Sequence, residues 1–165
     1  MGFFRRRPPE VADVYKGLRS QALAMTPEAL GLDGASAPPV LVALMENSGP
    51  EGVVVSLVAV ADGTASLYFS NGGGRIGAGT YPAVAERARA FVEACGTHFD
   101  EVQPAAEAPL PGSGEVRFHL VTREGLRGAG APEEELGRGG HPLSPLFFAA
   151  HELITAMRLQ AEGQE

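Results

Sequence analysis

The chain has a single cysteine, a single lysine, no tryptophan and an aromatic fraction of only 7%. One cysteine, Cys95, cannot close an intramolecular disulfide, so the fold must hold by packing alone, and the chain suits a reducing compartment. No stretch approaches the roughly 18 consecutive apolar residues that cross a bilayer. A stripe of Lys and Arg is also missing. Twenty acidic residues face thirteen basic ones, for a net charge of −7. Three of the basic residues run together as Arg5, Arg6 and Arg7, which leaves ten cations against twenty acids elsewhere. Such a body repels phosphate backbones and argues against nucleic-acid binding.

Catalytic signatures are missing as well. His151-Glu152 begins like the zinc-protease pattern H-E-x-x-H, but Thr155 stands where the second histidine belongs. Around Ser113 the nucleophile-elbow pattern lacks its first glycine. No lysine follows Gly77 or Gly79, which excludes a P-loop. Cys95 lies on an apolar helix stripe, where a cysteine acts as a small inert hydrophobe. No catalytic set and no cofactor are expected from these residues.

What is present is an ordinary globular composition, 44% hydrophobic and 20% charged over 165 residues. A chain of this length can bury roughly two thirds of its unfolded surface. The expectation is one domain over residues 10–160, with a basic and apolar tail at 1–9 and a frayed tail at 161–165. Met-Gly-Phe-Phe-Arg-Arg-Arg places charge after a short apolar pair and does not read as a secretory signal. Phe3, Phe4 and the arginines allow a weak membrane or partner contact. The reading is cytoplasmic, and the excess of Arg over Lys fits a GC-rich bacterial genome.

Periodicity predicts an α+β fold: a single antiparallel sheet of about five strands, β-meander first, packed against N-terminal, middle and C-terminal helices. Val11, Val14, Tyr15, Leu18 and Ala22 recur at helical spacing. Val40–Glu46, Val53–Val60 and Ala65–Ser70 read as strands, with Asp62-Gly63 and Asn71-Gly72 as tight two-residue turns. The near-continuous apolar run at 53–60 places that strand centrally. Arg75–Ala78 is a short fourth strand. Pro82–Cys95 is the middle helix, stopped at Gly96. Glu115–Thr122 is a further strand, with Phe118 inward and His119 on the opposite, exposed face, and Leu126 lies on a short partner strand. Ser144 is the expected cap of the last helix, with Pro145 at its first position. The order of elements resembles small bacterial regulatory or adaptor domains, in architecture only.

Three constellations invite function. Gly72, Gly74 and Gly77 satisfy G-x-G-x-x-G, so Gly72, Gly73, Gly74, Arg75 and Gly77 are the candidate anion or nucleotide-binding residues, set against a plain glycine-rich hairpin. His141, His151 and Glu152 are the candidate centre of a hydrolase or metal site, although no ligand spacing supports one. Leu143, Phe147, Phe148 and His151 form the wide apolar edge of the last helix and are the candidate interface. The leading expectation is an interaction or regulatory domain that pairs with a protein partner or a second copy of itself.

Overall fold

The computed structural model describes residues 10–32, 34, 37–75 and 81–163. Helix α1 (Asp13–Leu23) precedes a meander of β1 (Val40–Ser48), β2 (Val54–Val60), β3 (Ala65–Phe69) and β4 (Gly74–Arg75). Helix α2 (Pro82–Thr97) then carries the chain to β5 (Gln103–Pro104), β6 (Glu115–Thr122) and β7 (Gly125–Pro132). Helices α3 (Glu133–Arg138) and α4 (Ser144–Glu162) follow. Among the described residues no helix is long and apolar enough to cross a membrane.

The expected α+β architecture holds: one antiparallel sheet, in the order β4-β3-β2-β1-β6-β7-β5. Seven strands stand where about five were expected, because short pairings at 74–75 and 103–104 extend both edges. β1 lies in the middle, with Met45 opposite Leu57 on β2 and opposite Phe118 on β6. Since side chains alternate along a strand, Ala43 and Met45 face one way and Val42, Leu44 and Glu46 the other. The first face meets α2 and α4, in a core that includes Leu57, Phe91, Phe118, Leu146 and Leu153. The second face packs with α1, in a core of Tyr15, Val42, Leu44, Val58 and Tyr68. Burial on both faces explains the near-continuous apolar runs of β1 and β2.

The hairpins have one more loop residue than the two-residue turns that were expected. Gly63 N donates to Val60 O and Val60 N to Thr64 O; Gly72 N donates to Phe69 O and Phe69 N to Gly73 O. Only the glycines have positive φ, 96° at Gly63 and 103° at Gly72. Asp62 and Asn71 instead accept backbone N–H bonds from two residues on through their side-chain oxygens. This is a turn followed by a left-handed glycine, an alternative that serves right-twisted strands equally well.

Three other expectations are corrected. α2 passes through Gly96 to Thr97 and ends at His98, whose N–H donates to Ala94 O. β7 is a full eight-residue strand, although Gly128, Ala129, Gly130 and Ala131 are poor strand formers. It exists because its residues pair in continuous register with β6. Ser144 does not cap α4; its hydroxyl donates to Leu136 O at 2.9 Å and ties α4 to α3, while Leu143 holds the cap position. Pro145 lies in the first turn as expected.

Phe118 is fully buried at the centre of the helix-covered face. Phe118→Ala is expected to cost about 3–5 kcal/mol in urea unfolding, as large core truncations do. Cys95 is fully buried, and burial raises its thiol well above the ordinary range. A thiol reagent should therefore label the native chain no faster than the chain unfolds, and labelling should become immediate in denaturant.

Candidate functional site

The most concentrated polar chemistry lies on the α1 side of the sheet, at positions the apolar pattern had hidden. Glu46 on β1 stands opposite Ser56 on β2, and its neighbour Leu44 stands opposite His119 on β6. The three polar side chains therefore share one face, and all are fully buried. His119 was expected to be exposed; cover on the α1 side of the sheet buries it. Part of that cover is the segment after β5, which Ala105 fixes by donating its N–H to Leu126 O.

α1 supplies the balancing groups. Arg19 Nε donates to Glu46 Oε2 at 2.8 Å and its Nη2 to Oε1 at 2.7 Å, a two-pronged charge-assisted pair. Nη2 also donates to Ala108 O at 2.8 Å, so the same cation holds the segment that follows β5. His119 Nε2 lies 3.0 Å from Oε1. Ser56 Oγ donates to Oε2 at 2.5 Å. The serine has one proton and the carboxylate takes it, so the Tyr15 hydroxyl, 2.7 Å away, donates to Ser56 Oγ.

Burial alone would raise the Glu46 pKa, but hydrogen bonds and charge from Arg19 and His119 more than reverse this and bring it down to about 2. Tyr15 is pushed up to about 12, chiefly by burial and then by the Glu46 charge. His119 Nδ1 and Arg117 Nε are buried with no hydrogen-bond partner. Both belong to β6 residues paired with glycines, Gly128 and Gly130 of β7. The arrangement neutralises a buried carboxylate and fixes α1 on the sheet. No carboxylate oxygen opens to solvent, and none of the three surface clefts described below is lined by these side chains.

The residues singled out from sequence fall elsewhere. Gly74 sits so close to β3 that a Cβ there would lie 2.6 Å from Leu67 O. Its lack of a side chain thus serves strand pairing. Gly72 supplies the left-handed turn, and Gly73 N is bonded to the Asn71 side chain. Gly77 lies outside the described residues, as does the side chain of Arg75. His141 Nδ1 accepts the Leu143 N–H at 3.0 Å. His151 sits edge-on against Phe147 at 4.3 Å, and partial burial lowers its pKa while Glu133 pulls the other way. Glu152 pairs with Arg87. Among the described residues, no three His, Cys, Asp or Glu side chains are grouped to hold a metal ion.

Of the four candidate interface residues, Leu143 and Phe147 are buried in the intrachain core, so neither presents a surface. Phe148 is 45% exposed and His151 is exposed. Both line an open groove of about 820 Å³ between α2 and α4, together with Ala83, Arg87, Thr155 and Leu159. Leu159 is 58% exposed. Two smaller clefts, of about 440 and 400 Å³, lie beside Pro39, the first against Phe99 and Arg123 and the second against Arg89 and Val92.

With this geometry in hand, no protein family, curated protein or solved structure matches the chain.

The buried network generates a pH prediction. The folded pKa of Glu46 is depressed from 4.5 to about 2, so its contribution to stability is full above the unfolded value and is lost as pH falls between them. Glu46→Gln should cost about 3–5 kcal/mol at neutral pH, because Arg19 is left unpaired. It should also remove that part of the acid-limb slope in urea titrations. Tyr15→Phe should cost only about 1 kcal/mol, since the Ser56–Glu46 bond survives.

Proposed function

We propose that this chain is a self-associating interaction domain, and that its docking surface is the outer face formed by α2 and α4. The observation that supports this most is the pair of large apolar side chains, Phe148 and Leu159, left exposed along the α4 wall of a groove that another surface can fill. Val14 on α1 and Leu110 are the other large apolar residues exposed among those described, and neither lines this groove.

The rest of the chemistry is consistent with a non-catalytic role. The acid, histidine and serine that come together around Glu46 are sealed by α1 and by their own hydrogen bonds. His141 and Glu152 are engaged with backbone and with Arg87 respectively. Gly74 is accounted for by its closeness to β3.

Sedimentation equilibrium over a wide concentration range tests this reading. The chain is expected to move from monomer to dimer as concentration rises. A Phe148→Ser, Leu159→Ser double variant should keep its circular dichroism and stay monomeric, because solvent-exposed substitutions of this kind cost little fold stability. A chain that is monomeric throughout, or a double variant that dimerises as the parent does, overturns the proposal.

A further inference from the structure

The Glu46 carboxylate carries no proton at neutral pH, so its Oε1 can only accept from His119 Nε2, 3.0 Å away. In the neutral ring the hydrogen is therefore on Nε2, and Nδ1 is a bare acceptor. His119 is fully buried, and Nδ1 has no hydrogen-bond partner among the described residues. Buried polar atoms are seldom left so, because the loss of hydration goes uncompensated. A carboxylate that fixes one imidazole nitrogen and leaves the other with a free lone pair holds the ring ready to take a donor or a proton. The carboxylate is itself held, by Arg19 and by Ser56, with Tyr15 behind the serine.

Over this nitrogen runs the segment between β5 and β6. A Cβ placed on Gly128 would lie 3.6 Å from Ala105 Cβ and 3.7 Å from Nδ1, so the start of the segment and the imidazole meet above one point of β7. Farther along, Ala108 O accepts from Arg19 Nη2 at 2.8 Å, and that same nitrogen stands 3.5 Å from His119 Nε2. The far end is tied down by bonds between Gly112 and Glu115 and by the bridge of Ser113 to Ser48. Between Ala105 and Gly112, the bond from Arg19 is the one hydrogen bond that reaches the segment from the rest of the described chain. Ala106, Glu107, Pro109 and Leu110 are exposed. A stretch with so few bonds and so little buried surface opens at lower cost than the sheet beneath it.

We propose that residues 105–111 are a strap that lifts while α1 and β6 stay in place, and that lifting presents His119 Nδ1 as an oriented acceptor to a ligand group carrying an N–H or O–H. Lifting breaks two hydrogen bonds, those of Ala105 N and Ala108 O. Arg19 keeps both of its bonds to Glu46, so the carboxylate and the imidazole remain aligned. The strap lies on the α1 side of the sheet, away from the α2–α4 face, and does not depend on self-association.

Diethyl pyrocarbonate tests this, because it acylates an imidazole only at an accessible nitrogen with a free lone pair. Modification of His119, mapped by peptide mass spectrometry, is compared with thiol labelling of Cys95, which is fully buried on the opposite face. Each native rate is set against the rate for the same residue in denaturant, giving a protection factor. His119 is expected to be about tenfold or more less protected than Cys95, and its rate should change little in low urea while that of Cys95 climbs steeply. Pro109→Gly, at an exposed position of the strap, should lower His119 protection by about two- to fivefold, since the lifted strap gains freedom. Equal protection and equal urea dependence of the two residues would mean that His119 is reached only by global unfolding, and would overturn the proposal. A weakly protected His119 that Pro109→Gly leaves unchanged also overturns it, because something other than the strap then opens.

Discussion

Everything in this fold depends on β1 pairing on both sides at once. β2 reaches it through a short local connection, whereas β6 arrives after most of the chain has gone by. The pairing takes both edges of β1 and helices on either side cover both faces, so residues 40–45 are wholly apolar. It also brings Ser56 and His119 to one face on either side of Glu46, and neither would be there if β6 paired elsewhere. Burial of a carboxylate at that point is tolerable only because α1 delivers a guanidinium and a phenol to it. The sheet and α1 are in this sense one unit.

The polar network and the outer groove divide two tasks. Around Glu46, polar groups are satisfied inward and the chemistry is closed. A buried ion pair of this kind is weak evidence for net stability, but it demands one position of α1, since Arg19 must reach both carboxylate oxygens. On the far side of the sheet α4 does the reverse. Leu146, Ala150, Leu153 and Met157 complete the core, while Phe148 and Leu159 remain outside it. α4 thus buries one arc in the core and leaves two large apolar side chains at the surface beside His151, Glu152 and Thr155.

The sequence showed a good deal of the fold and little of the polar cluster. Alternation along Glu115–Thr122 placed Phe118 and His119 on opposite faces, as found. What alternation cannot report is whether the second face is covered. That depends on α1 and on the segment after β5, neither of which pairs locally with β6. Glu46 had a legible signal: it continues the Val42, Leu44 face at the end of an apolar run, which is an unusual place for an acid. Arg19 lies one position from the apolar stripe and reads as a solvent-facing residue until its target is known. β7 was underestimated for the opposite reason, since its glycines and alanines lack strand propensity and only the partner strand makes them extended. Leu143 and Phe147 were read as surface because one apolar stripe suffices to cover a sheet; here α4 also packs beside α2 and α3, so its buried arc is wider.

Among the described residues the sheet is bordered by strands of two residues, Gly74–Arg75 on one side and Gln103–Pro104 on the other. Proline has no N–H to offer, so β5 gives an incoming chain little to pair with over Arg127 and Gly128 of β7, the positions it covers. Growth by strand addition, the open-ended route to fibrils, is thereby hindered where β5 lies along β7. Self-association through the α2–α4 face, as proposed, needs no strand edge at all.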